Sequence, residues 1–180
     1  MIRSILIYGL ISGLIIMTGM ITGIVLADGQ HGGSASMFVG YLIMLVALSS
    51  ILVAVKQYRD RTLGGVIRFW PALLMGLGIA AVAGVAYVAV WEVYLAVTDY
   101  AFMEQYAANA IEAKRAAGAT GAELEKAIAE MEAMKVQYAN PLFRLPITFS
   151  EVFPVGLLIA LVSAALLRNP RFLPARAPAA

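Results

Sequence analysis

Four long apolar runs, at residues 5–27, 37–55, 72–97 and 145–167, are separated by polar stretches of very unequal length. Each run is near the ~20 residues that a helix needs to cross a hydrocarbon core. The pattern predicts an all-α, polytopic membrane protein with four transmembrane helices. The first connection, Asp28-Gly-Gln-His31-Gly-Gly33, reads as a short outer turn. The second, KQYRDRTLGGVIRFWP, places Phe69 and Trp70 at the membrane interface and Pro71 at the start of the third helix. Gly64-Gly65 within it is a turn and lacks the surroundings of a phosphate loop.

The third connection, residues 98–140, is long enough for structure of its own. Neither glycine nor proline occurs between Gly84 and Gly118, so the third helix is expected to continue outward past the membrane surface. Tyr106, Ala110, Ala113 and Ala117 form a small-residue stripe on that extension, and Gly118 ends it as a C-terminal cap. Thr120-Gly-Ala-Glu123 has the form of a capping box that starts another helix. The Leu124, Ile128, Met131, Lys135 and Tyr138 stripe follows, and Asn140-Pro141 closes it. Two arms, 99–117 and 121–139, each reach ~30 Å at ~1.5 Å per residue. Their match predicts an extracytoplasmic antiparallel helical hairpin between helices three and four. Pairs such as Lys126 with Glu130 and Glu132 with Lys135 support it, each by ~0.2–0.5 kcal/mol. A hairpin of that size cannot enclose a catalytic pocket of its own.

Composition agrees: of 180 residues 62% are hydrophobic and 13% charged, with a mean hydropathy of +0.85. Arg3 and Val25-Leu26-Ala27 loosely imitate a secretory leader, but the apolar run exceeds the ~7–15 residues of a leader core, so it reads as a retained helix. The absence of cysteine excludes disulfides, thiolate catalysis and cysteine metal sites. With the N-terminus inside, one face carries Arg3, Lys56, Arg59, Arg61, Arg68, Arg168, Arg171 and Arg176 against Asp60. The other carries Lys114, Arg115, Lys126 and Lys135 against Asp99, Glu104, Glu112, Glu123, Glu125, Glu130 and Glu132. Both termini are therefore expected in the cytoplasm. The basic inner rim suits anionic lipid headgroups and calls for no nucleic acid. Residues 1–168 read as a single transmembrane domain with the 98–140 hairpin inserted, and 169–180 as a proline-rich cytoplasmic tail.

Small residues recur at four-residue spacing in Gly9-Leu-Ile-Ser-Gly13, in Gly19-Met-Ile-Thr-Gly23 and in Gly76, Ala80 and Gly84. They suit close helix packing, in preference to a glycine hinge. The candidate polar site within the membrane is Glu92, Ser150, Glu151 and Pro154. Both glutamates are expected at similar depth just below the outer surface, on helices that the hairpin keeps adjacent. Side by side they would share a proton; with His31 they would form a cation site. Alternatively, Pro154 leaves the Ser150 carbonyl without its helical donor, and a glutamate holds the loosened helix together. Arg144 is a candidate ion-pair partner. Structural polar glue is the preferred reading over transport chemistry.

Gly40-Tyr41-Leu-Ile-Met, Tyr58-Arg59-Asp60 with Gly64-Gly65-Val66-Ile67, Trp91-Glu92-Val93-Tyr94, Phe102-Met103-Glu104, Asn140-Pro141-Leu142 and Glu151-Val152-Phe153-Pro154-Val155-Gly156 occur in that order. Together they resemble a bacterial membrane-protein family of unknown function, domain four-one-nine-nine, over about residues 5–168. The resemblance implies a helical inner-membrane protein and supplies no catalytic residue. No nucleophile–base constellation, nucleotide loop or metal spacing stands out, so no cofactor and no enzymatic role are expected. The expected role is an accessory or scaffold subunit in the lipid bilayer, its Tyr58, Arg59 and Asp60 loop and its hairpin contacting a protein partner or a second copy. The alternative is a small proton- or cation-coupled carrier or channel using Glu92 and Glu151.

Overall fold

The computed structural model describes residues 1–26 and 34–175; His31 and the first connection lie outside them. Seven helices follow in order: α1 (Ile2–Leu26), α2 (Ser34–Leu48), α3 (Ser50–Thr62), α4 (Phe69–Val97), α5 (Ala101–Ala116), α6 (Ala122–Ala139) and α7 (Pro141–Leu167). Four spans, Ile2–Ile24, Phe38–Thr62, Phe69–Val97 and Pro141–Leu167, are long and apolar enough to cross a membrane. The second combines α2 and α3, which meet at Ser49. Its hydroxyl bonds back to the Val46 carbonyl at 2.6 Å, while Ser12 of α1 donates to the Ala47 carbonyl at 3.0 Å and lies 2.7 Å from the Ser50 hydroxyl. Local polar side chains thus serve the backbone where water cannot.

Helix α4 is the hub. Half of its most apolar window is buried, against 28–33% for the other spans, and it packs along both α1 and α7. Small residues permit that approach. A Cβ on Gly13 would stand 2.6 Å from the Ala83 carbonyl oxygen, and one on Gly156 would stand 2.5 Å from the Ala80 Cβ. Gly76 and Gly84 are closed in by Ala160 and Phe149 of α7 in the same way, whereas Gly23 faces open space. The packing reading of the glycines therefore holds for α1 against α4 and for α4 against α7.

Beyond the spans, the expected continuous third helix is corrected. Helix α4 stops at Val97, and Asp99 and Tyr100 both take left-handed backbone conformations, with φ of 50° and 57°. The Thr98 hydroxyl reaches the Tyr94 carbonyl at 2.8 Å, and the Tyr100 N–H donates to the Leu95 carbonyl at 2.8 Å. This turn resets the helical phase, so α5 buries Met103 and Ala107 and leaves Tyr106 exposed. The Tyr106, Ala110, Ala113, Ala117 stripe is corrected accordingly.

Gly118 caps α5 as expected: its N–H bonds the Arg115 carbonyl at 2.9 Å and the Ala119 N–H bonds Lys114 at 3.0 Å. The capping box is corrected. Gly121, at φ 55° and ψ −133°, flanks α6, and no side chain caps its first turn. That backbone suits only glycine, and it displaces Thr120 from the capping position. The α6 stripe is as read: Leu124, Ile128, Met131, Lys135 and Tyr138 are half-buried. Helices α5 and α6 pack together, with the Lys135 ammonium 2.9 Å from Glu104 of α5 and 3.1 Å from Glu132.

Helix α7 starts at Pro141, capped by the Asn140 side chain, which accepts the Leu142 N–H at 3.0 Å. It runs as one helix through Pro146 and Pro154. Its start four residues before the apolar run sets the depth of every side chain that follows.

Candidate functional site

The seam between α4 and α7 brings together Tyr87, Glu92, Arg144 and Glu151. The two helices run in opposite directions, with Gly76 against Ala160, Ala80 against Gly156 and Gly84 against Phe149. Continuing that register brings Glu92 opposite Arg144, on the first turn of α7. Arg144 Nε donates to Glu92 Oε1 at 2.7 Å and Nη2 to Oε2 at 2.6 Å, a bidentate pair. The arginine side chain is 4% exposed and the glutamate 28%.

Arg144 does more than neutralise a charge. Its Nη1 donates to the Tyr138 carbonyl at 3.0 Å and lies 3.5 Å from that of Ala139, the negative end of the α6 dipole. The guanidinium carbon sits 5.3 Å from the Tyr100 ring centre and 5.7 Å from that of Tyr138. Tyr138 in turn accepts the Trp91 indole N–H at 2.7 Å, and Trp91 meets Phe102 edge-on at 4.8 Å. Burial pushes the Tyr138 phenol up, with the nearby Glu151 charge adding to it and the Trp91 hydrogen bond opposing it, so the ring stays neutral. One guanidinium thus ties α4, the turn before α5, the end of α6 and the start of α7. Lysine has neither the fork nor the flat face for this.

Glu151 belongs to a second cluster. It lies ten residues past Pro141, ~15 Å of helical rise into α7, deeper than the run boundary at Leu145 suggested. Buried Tyr87 of α4 donates to Glu151 Oε2 at 2.9 Å, and its hydroxyl lies 2.8 Å from Met20 Sδ of α1. The single phenolic proton favours the carboxyl over the weaker thioether acceptor. The residue is otherwise exposed on the rim of the bundle. Glu92 and Glu151 are thus each bonded to a different partner. The Ser150 hydroxyl turns back to the Ile147 carbonyl at 2.7 Å and does not meet Glu151 through any bond of its own.

Tyr58, Arg59 and Asp60 lie in the last turns of α3, which corrects their placement in a loop. Arg59 is fully buried: Nε donates to Asp60 Oδ1 at 2.7 Å, Nη1 to the Phe172 carbonyl at 3.0 Å, and Nη2 to the Leu173 carbonyl. Lys56 takes the other Asp60 oxygen. The motif holds the segment after α7 against the bundle, and only Tyr58 and Asp60 retain some exposure.

Sequence reasoning missed Tyr87, Tyr100 and Tyr138 as members of these clusters. Tyr138 carried a signal, a polar aromatic at the end of the α6 stripe. Tyr87 carried a weaker one, a hydroxyl among small residues in an apolar run. Among the described residues no group of three or more histidines, aspartates or glutamates could hold a metal ion. No curated protein and no solved structure matches the chain. Residues 7–169 match the model of a family described as a protein of unknown function, DUF4199, and the chain belongs to that family.

Proposed function

We propose that this chain is a non-enzymatic integral protein of the bacterial inner membrane, an accessory or scaffold subunit of a membrane assembly. Both termini face the cytoplasm, and α5 and α6 form an extracytoplasmic hairpin on which a protein partner or a second copy docks. The excess of arginine and lysine at the α3, α4 and α7 ends opposite the hairpin supports that orientation. The observation that carries the role is the Arg144 cluster. Its charges are engaged in fixing the hairpin base to α4 and α7, the arrangement of a rigid platform and not of a reacting centre. The test is extraction from native membranes under mild detergent, followed by quantification of copurifying chains. A stoichiometric partner is expected; a bare monomer would overturn the reading.

A second reading, a small proton- or cation-coupled carrier or channel, is favoured by one observation. Glu151 offers a carboxyl at the bundle rim with a single protein donor, Tyr87, among the described residues. An intramembrane carboxyl of this kind marks ion pathways in many proteins. Ion flux in liposomes that is unchanged by Glu151→Gln with Glu92→Gln removes that reading.

A further inference from the structure

We propose that Met20, Tyr87 and Glu151 form a proton-binding site in which a proton taken up on Glu151 turns the Tyr87 hydroxyl from α7 toward α1. The proposal rests on the carrier or channel reading of Glu151, whose ion it names. Three helices supply one group each, Met20 from α1, Tyr87 from α4 and Glu151 from α7. The Tyr87 side chain is fully buried, and its hydroxyl oxygen stands 2.9 Å from Glu151 Oε2 and 2.8 Å from Met20 Sδ. Because α1 and α7 each pack chiefly on α4, that hydroxyl is a polar link between them.

One phenolic hydrogen faces two acceptors. With Glu151 ionised, the phenol donates to the carboxylate in a charge-assisted bond, stronger than any to a thioether, and Met20 receives nothing from it. A proton added at Oε2 reverses the order. The carboxylic O–H then donates to the phenolic oxygen, and the phenolic hydrogen is released to Met20 Sδ. The phenol keeps its own proton throughout, so the one proton gained by Glu151 is the whole chemical change. The protonated cluster joins α7, α4 and α1 in a single chain of hydrogen bonds, whereas the ionised cluster joins only α7 and α4.

The groups present select the proton over a metal ion. Hard cations take about six oxygen ligands and avoid thioethers. Here one carboxyl, one phenol and one thioether meet, and among the described residues no group of three histidines, aspartates or glutamates could hold a metal ion. Nor does the nearest cation serve Glu151. Arg144, ~10 Å of helical rise further out on α7, is held by both oxygens of Glu92 on α4. From α6 comes only the phenol of Tyr138, which feels the Glu151 charge without neutralising it. Tyr41 of α2 is exposed, and the Lys56, Arg59 and Asp60 charges of α3 engage one another and the segment after the far end of α7. A carboxylate on a membrane span with one hydrogen bond and no counter-ion is relieved by a proton.

Dicyclohexylcarbodiimide, an apolar reagent that adds to protonated carboxyls from within the bilayer, tests this on the intact protein in liposomes, with the adduct located by peptide mass spectrometry. An adduct at Glu151 is expected that rises as pH falls, is indifferent to sodium and magnesium ions, and is lost in Glu151→Gln. Tyr87→Phe exchanges a strong bond to the ionised form for the loss of a weaker one to the protonated form, and should move the labelling midpoint up by about one pH unit. Met20→Leu removes an acceptor used only by the protonated form, and should move it down by roughly a few tenths of a unit. Thermal melting of each variant verifies folding. Absence of labelling at every pH, protection by either metal ion, or shifts of the same sign in Tyr87→Phe and Met20→Leu overturns the proposal. Proton flux is a separate measurement. Labelling with the two opposite shifts but without flux supports the proton site and removes the carrier reading, whereas flux with protection by a metal ion supports a carrier and overturns the proton site.

Discussion

Replacing Glu92 by Gln isolates the charge that ties α4 to the start of α7 and, through Arg144, to the end of α6. The substitution keeps the shape and one acceptor oxygen, but it leaves the Arg144 guanidinium, 4% exposed, without its counter-ion. Removing one partner of a buried pair costs ~3–5 kcal/mol. Glu92 retains 28% exposure, so water recovers part of the loss and the lower end, about 3 kcal/mol, is expected. Arg144→Gln should cost at least as much, because it also removes the bond to the Tyr138 carbonyl and the stacking between Tyr100 and Tyr138. The double variant should cost less than the sum by roughly 2 kcal/mol, since neither charge is then stranded. Equilibrium unfolding in mixed detergent micelles gives the cycle, and limited proteolysis reports whether cleavage opens at the Thr98–Tyr100 turn. A loss under ~0.5 kcal/mol for Glu92→Gln, the range of an exposed pair, would refute the reasoning.

Other substitutions probe the remaining contacts. Gly156→Ala should destabilise by ~1–3 kcal/mol, because its Cβ collides with that of Ala80, whereas Gly23→Ala meets nothing and should gain up to ~1 kcal/mol; paired melts compare them. Arg59→Gln should free the segment around Phe172 and Leu173, read as faster carboxypeptidase trimming, with a loss of ~2–4 kcal/mol as several buried bonds go at once. Glu104 first, and Glu132 second, raise the Lys135 ammonium above the ordinary lysine value. Its link between α5 and α6 is therefore fully present below that ordinary value and fades as pH climbs through the raised one. Lys135→Met should flatten the alkaline fall in melting temperature.

The spans were legible because an apolar run of membrane length has few alternatives, and the α6 stripe because one polar face leaves the other unambiguous. Gly118 was legible because a left-handed helix end selects glycine. The break before α5 was not, since Asp99 and Tyr100 carry no strong local stop signal and the turn sits against Arg144 from another helix. Glu92, Glu151 and Arg144 were all visible as charges in apolar surroundings. Their pairing depended on where α7 begins, and Pro141, four residues before the apolar run, shifts the register so that Arg144 meets Glu92 and Glu151 meets Tyr87. Arg59 looked like a cytoplasmic surface charge because composition cannot show that two carbonyls after α7 return to it.

The proposed role requires a partner, or a second copy, held at α5 and α6. Chemical cross-linking in intact native membranes, followed by mild extraction and stoichiometric mass spectrometry, measures this most directly. Cross-links are expected from the exposed lysines of α5 and α6 to one defined protein, or to a second copy, at a fixed ratio. Hairpin lysines linked only within their own chain, in a particle of a single copy, would contradict it.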